Sequence, residues 1–224
     1  MIYLDHAATT PPDPRVIDAM AACMRQDWAN PGALYAAAEP ARRQLRLARE
    51  AVAAMLNAAP QEILFTSGGT EGNNHALALA RGGHVVVGAV EHASVLAAAR
   101  AGGAVTLVPP DASGRIPPEA VARALRPDTR LISVQFANNE TGVLQPVAEI
   151  GALARARGIP FHCDAVQAFG HVPVDVRACG IDLLTLSAHK FYGPRGIGCL
   201  YARTGTPLPP MIRGGGQEFG LRSG

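Results

Sequence analysis

Seven short apolar runs recur along the chain: Ile63–Thr66, His84–Val87, Val105–Val108, Leu131–Phe136, Pro160–Cys163, Leu183–Ser187 and Gly198–Tyr201. Helical patterns fill about 70–80, 93–101, 117–126 and 146–157 between the earlier ones. Continuous apolar strands alternating with helices fold as an α/β layer structure, with a mostly parallel sheet covered on both faces. Two helices precede the first strand. One spans Val16–Met24, with Val16, Met20, Cys23 and Met24 apolar, and the other covers roughly Pro40 to Asn57. In the second, Leu45, Ala48, Val52, Met55 and Leu56 form the apolar stripe, with Arg42, Arg43, Arg46 and Arg49 mostly outside it. Such sheets bind ligands beyond the carboxyl ends of their strands. The polar clusters of this sequence fall at those ends, which points to a single site.

The 224 residues suit one large domain, or one domain plus a fragment of a second. The division expected is an N-terminal segment, 1–15, and a large domain, 16–224. A net charge of +2 gives no broad basic surface for nucleic acid. No apolar run approaches the roughly 20 residues needed to span a bilayer. The start, MIYLDHAATT, has neither a basic n-region nor an apolar h-region, so a cytoplasmic protein is expected. The cysteines, Cys23, Cys163, Cys179 and Cys199, include no C-x-x-C pair, and no metal site is expected. Each lies in an apolar context and reads as a small buried hydrophobe.

Of twenty basic residues, nineteen are arginine and one, Lys190, is lysine. Arginine keeps its proton near neutral pH, whereas a lysine amine can lose it and attack a carbonyl. A chain that uses arginine for charge elsewhere has a lysine where that chemistry is available. Lys190 closes the segment Ser187-Ala188-His189-Lys190 at the end of a strand.

Four other clusters accompany it. Ser67-Gly68-Gly69-Thr70-Glu71-Gly72-Asn73-Asn74 follows the strand ILFT and opens a helix, where free N–H groups attract phosphate. It matches neither the P-loop nor G-x-G-x-x-G, and alone a Gly-rich turn serves structure as readily as a ligand. Glu91-His92 lies between a strand and a helix, a place for a capping histidine as well as a catalytic one. Asn138-Asn139-Glu140-Thr141-Gly142 supplies amides with directional hydrogen bonds. Asp164 closes the strand FHCD with Gln167 one turn later. A buried carboxylate there needs a partner, and the pyridine nitrogen of pyridoxal-5'-phosphate (PLP) is one. Together the clusters offer groups for the phosphate, ring face, phenolic oxygen, pyridine nitrogen and aldehyde of PLP.

The segments YLDHAATTPPDPRV, EILFTSGGTEGNN, EH, NNETG followed by QP, FHCDAVQ, SAHKFYGPRGIG and GGGQEFGLRSG occur in that order from Tyr3 to Gly224. In this the chain resembles the cysteine desulfurases, the NifS/IscS-like branch of the class V aminotransferases, which are fold type I PLP enzymes. The resemblance implies a three-layer α/β sandwich and a homodimer. It implies conversion of L-cysteine to L-alanine, with the sulfur left as a persulfide on an enzyme cysteine. That sulfur passes to an acceptor or scaffold protein for iron–sulfur clusters or thio-cofactors. By the same resemblance Lys190 holds the PLP aldehyde, Asp164 pairs with the ring nitrogen, and Gln167 and Asn139 lie on the phenolic side. His92 stacks on the ring and moves protons, and Gly69, Thr70, Ser187 and His189 hold the phosphate.

The family pattern continues beyond GLRSG with a threonine that reaches the partner's phosphate, a loop bearing the persulfide cysteine, a carboxylate-binding arginine and most of a small C-terminal domain. These are expected to lie outside the 224 residues, and none of the four cysteines here matches the loop cysteine. Other class V activities, such as selenocysteine lyase or aminotransferase, and a non-catalytic PLP-binding remnant are the alternatives.

Overall fold

The computed structural model describes residues 2–224; Met1, the first residue of the expected N-terminal segment, lies outside them. Seven strands form one sheet: β1 (Ile63–Thr66), β2 (His84–Gly88), β3 (Ala104–Val108), β4 (Thr129–Ser133), β5 (Phe161–Asp164), β6 (Leu183–Ser187) and β7 (Gly198–Ala202). Their order is β1-β7-β6-β5-β4-β2-β3. β7 runs antiparallel to β1 and β6, and the other pairings are parallel. The helices are α1 (Pro14–Gln26), α2 (Glu39–Leu56), α3 (Gly69–Leu77), α4 (Ala93–Gly102), α5 (Pro118–Ala124) and α6 (Val147–Ala156).

The apolar runs are continuous because both faces of the sheet are buried along β2, β5 and β6, whereas the edge strand β3 leaves Ala104 and Leu107 exposed. Successive strand residues point to opposite faces, so Val85 and Val87 join a cluster with Leu77, Val95 and Ala99 of α3 and α4. Val86 between them joins Leu56, Val121 and Ile150 of α2, α5 and α6 on the other side. The result is the expected three-layer α/β sandwich. Burial of a Val or Leu side chain in such a core is worth about 1.5–3 kcal/mol. Alternation in β5 likewise puts Cys163 in the α2/α5/α6 core, while Asp164 meets α3 on the opposite face.

Helix α1 begins two residues earlier than its apolar pattern suggests, since Asp13 accepts from the Arg15 N–H and Pro14 opens the first turn. None of its residues is buried, and Ile17, Met20 and Met24 are 52%, 41% and 67% exposed. Cys23 is therefore exposed, not a buried hydrophobe as its context suggested. On α2 the buried residues are Ala53 and Leu56, whereas Leu45 and Met55 of the expected stripe are exposed. Arg49, expected outside the stripe, is instead largely buried. It forms a bidentate pair with Glu218 at 2.8 and 2.7 Å and lies over the rings of Phe65 and Phe219. The ladder of β4 ends at Ser133, but Val134 and Phe136 still donate to His162 and Asp164 of β5, so the extended run reaches the site.

Among the described residues no helix is long and apolar enough to cross a membrane. Nor is any group of three or more His, Cys, Asp or Glu placed to hold a metal ion.

Candidate active site

The carboxyl ends of β1, β2, β4, β5 and β6 surround a cavity of about 510 Å³. Gly69, Thr70 and Ser187 line it at one end, and His189 and Lys190 follow Ser187 along its wall. His92, Asn139, Asp164 and Gln167 complete the set of residues singled out from the sequence. All nine thus meet in one space, although they come from five separate segments.

The end beside Gly69 is shaped by close packing of α3 on the sheet. A Cβ on Gly69 would stand 2.9 Å from Val166 Cγ2, and one on Gly72 would stand 2.8 Å from Thr185 Cγ2. Glycine at both places lets the start of α3 sit against β6. The first N–H groups of a helix have no partner within it, and those of Gly69 and Thr70 stand at the cavity. Glu71, in the same turn, faces away: it accepts from the Ser67 N–H at 2.9 Å and pairs with Arg222 at 2.8 Å. Burial raises the Glu71 carboxyl pKa, but the Arg222 and Ser67 hydrogen bonds outweigh that and hold it at about 2. Its charge is matched by Arg222 and does not oppose an anion at the helix start.

Asp164 is 6% exposed and accepts two hydrogen bonds, from the Val166 N–H at 3.0 Å and from Asn73 Nδ2 at 2.7 Å. Burial pushes its carboxyl pKa upward against those bonds and against the nearby His92 and Lys190. Both hydrogen-bond donors are neutral, so the site favours a cationic partner on the cavity side. Behind it Glu91 is fully enclosed and raised well above the usual carboxylate range by burial; it accepts from the Gln135 N–H at 2.7 Å. His92 caps α4 by accepting the Ser94 N–H on Nδ1. The capping and site readings of this histidine hold together, because the cap is at the cavity wall.

Lys190 Nζ donates to the carbonyls of Ala7 and Ala8, the latter at 2.8 Å. Burial lowers its pKa, with Asp5 and Asp164 acting in the opposite direction. Gln167 Nε2 donates to the Ala7 carbonyl at 2.9 Å, and His189 Nδ1 bonds Thr9 Oγ1 at 3.0 Å. Burial, then Lys190 and Arg195, lowers the His189 pKa and favours the neutral ring. The N-terminal segment thus lies over the lysine, and Asp5, Ala7 and Ala8 line the cavity.

That segment, Asn73, Ser94 and Gln135 were not singled out as site residues. Asn73 carries a usable signal: it follows Thr70 by three residues on α3 and therefore shares its face. Ser94 sits two residues past His92, where a hydroxyl can meet a capping side chain. The backbone carbonyls of Ala7 and Ala8 leave no trace in residue type.

Comparison with known proteins agrees with this geometry. Residues 2–222 match the Aminotransferase class-V family. The chain is 43% identical over its whole length to cysteine desulfurase IscS of Dictyoglomus turgidum, and covers 59% of that protein. It is 44% identical to the mitochondrial cysteine desulfurase of Eremothecium gossypii, covering 48% of it. The solved structure of SspA in complex with cysteine superposes over the whole chain with a TM-score of 0.95 at 43% identity, and 68% of that protein is covered. The chain spans about three fifths of the first of these curated relatives. On the match over 2–222 and the shared fold, this chain belongs to the aminotransferase class-V family.

Proposed function

We propose that the protein containing this chain binds PLP in the cavity and is a cysteine desulfurase. It converts L-cysteine to L-alanine and leaves the sulfur as an enzyme persulfide, destined for iron–sulfur clusters or thio-cofactors. The observation that carries the reading is the meeting of Lys190, Asp164 and the open start of α3 in one cavity. The cysteine bound to SspA and the names of the desulfurase relatives support the choice of substrate. The active form is a homodimer that hands sulfur to an acceptor or scaffold protein, and the compartment is the cytoplasm. Residues 16–224 are the PLP-binding domain, with 1–15 as a separate segment over the lysine.

The residues present fit PLP. A buried carboxylate with neutral hydrogen-bond donors suits a protonated ring nitrogen, and a helix start beside Ser187 suits a phosphate. The one lysine of the chain, with its pKa lowered by burial, suits an aldehyde. When bound, PLP supplies the carbonyl that takes up the substrate nitrogen and the ring that accepts electrons as a bond at Cα weakens. Lys190 Nζ would hold the aldehyde and would serve as the base toward the Cα proton; burial lowers its pKa and brings it closer to the working pH. Asp164 balances the ring nitrogen charge. Asn139 and Gln167 would hold the phenolic side, and His92 would cover the ring face and could exchange a proton with the substrate. Gly69, Thr70, Ser187 and His189 hold the phosphate.

The sulfur-accepting thiol is none of the four cysteines. None of them lines the cavity. Burial raises the thiols of Cys163 and Cys179, and it pushes Cys199 up to about 12. Cys23 is exposed on α1 and lines a groove that includes none of the nine site residues.

The full-length protein, supplied with PLP, L-cysteine and a reductant, is expected to release alanine and sulfide in equal amounts. Keto acid in place of alanine would replace this reading with an aminotransferase. Turnover confined to L-selenocysteine would replace it with a lyase, and PLP binding without turnover with a non-catalytic role.

A further inference from the structure

Four side chains from three elements and one helix cap form an unbroken hydrogen-bonded line. Asn73 Nδ2 of α3 reaches Asp164 Oδ2 of β5 at 2.7 Å and Ser94 Oγ of α4 at 2.9 Å. Ser94 Oγ in turn lies 2.8 Å from Nδ1 of His92, the cap of α4. We propose that Asn73 and Ser94 are positioning residues through which the Asp164 carboxylate fixes His92 in a single tautomer, with its ring proton on Nε2.

The direction of each bond follows from what each atom is able to do. The Ser94 backbone N–H can only donate, and it meets His92 Nδ1 at 3.1 Å. Nδ1 is therefore an acceptor, and in the neutral ring the proton sits on Nε2. Ser94 Oγ accepts from Asn73, so its own proton is free to go to Nδ1. Asn73 directs both N–H bonds of one nitrogen to Asp164 and Ser94, while its Oδ1 is buried with no hydrogen-bond partner among the described residues. An unpaired buried carbonyl is costly. The amide keeps that orientation because the reverse one would press Oδ1 against the Asp164 carboxylate. The charge thus sets the amide, the amide sets the hydroxyl, and the hydroxyl reinforces the backbone in setting the ring.

The consequence is that His92 presents a donor, not a lone pair, on Nε2. Its chemical use rests on the reading of the cavity as a PLP site; the tautomer does not. The two parts can therefore fail separately. A wild-type protein that takes up no PLP, judged by the visible absorbance of lysine-bound cofactor, sinks the cofactor reading alone.

The tautomer is read by 15N NMR of histidine-labelled full-length protein without added cofactor. The wild type is expected to show one dominant His92 form, protonated at Nε2. Ser94→Ala should raise the Nδ1-protonated population several-fold, and Ser94→Thr, which keeps the hydroxyl, should restore the wild-type pattern. Asn73→Leu is an independent second variant with the same expected rise. Asp164→Ala should shift His92 in the Ser94 background and leave it unmoved in the Ser94→Ala background, the mark of coupling through one residue. A His92 tautomer unchanged by both Ser94→Ala and Asn73→Leu would overturn the proposal. So would an Asp164→Ala effect of equal size in both backgrounds.

Discussion

Asn73 holds the inner oxygen of Asp164 at 2.7 Å, and both residues are nearly devoid of solvent contact. The carboxylate is thereby fixed from behind, with its charge available on the cavity side. Burial alone pushes Asp164 toward the neutral form, so the cationic ring nitrogen of the proposed cofactor would stabilise the ionised carboxylate.

Asp164→Asn keeps the shape and removes the charge. PLP is expected to bind still, while exchange of the substrate Cα proton falls by roughly 10²–10³-fold, the usual loss for one oriented electrostatic group. Proton exchange into solvent followed by NMR measures this. An unchanged rate would remove Asp164 from the role proposed for it.

The packing of α3 gives a second prediction. Gly72→Ala gains about 0.5–1 kcal/mol of helix propensity, but its Cβ would stand 2.8 Å from Thr185 Cγ2. Overpacking of that kind costs about 1–3 kcal/mol, so net destabilisation is expected, with weaker PLP affinity as the helix start moves. Thr185→Ser removes Cγ2 and keeps the hydroxyl bonded to His162 Nε2, and should rescue Gly72→Ala. Urea unfolding of the double-mutant cycle decides; additive losses would mean that the contact does not limit the helix position.

The apolar runs were legible because both sheet faces are buried along the central strands, which removes the polar alternation that would have blurred them. That the nine candidate residues share one cavity was legible for a related reason: polar groups at the ends of such strands stand out against their surroundings. Contacts between distant segments were not. Arg49 reads as a surface residue of an amphipathic helix, and its partner Glu218 lies 169 residues away. The two carbonyls that hold Lys190 Nζ are 183 and 182 positions from it, and both belong to alanines. The α1 stripe misled for the opposite reason, since periodicity reports an apolar face and not whether anything covers it.

Glu71 gives a pH prediction. Its folded pKa of about 2 lies below the ordinary 4.5, so the unfolded chain binds the proton more readily. The stability it contributes is present above about pH 4.5 and is lost as the pH falls toward 2. Denaturant midpoints measured from pH 6 to pH 2.5 should fall, and Glu71→Gln should flatten that fall while lowering stability at pH 6. Parallel curves for the two proteins would mean that the Arg222 pair does not carry the effect.

Lys190 is proposed as the residue that holds the cofactor. It is the single lysine of the chain, its amine borders the cavity, and burial lowers its pKa. The direct measurement is borohydride reduction of the PLP-loaded protein, followed by peptide mapping of the bound label. The label is expected on the peptide containing Ser187-Ala188-His189-Lys190 and nowhere else, and Lys190→Arg should abolish it. Label retained after Lys190→Arg, or found on any other peptide, would contradict the assignment.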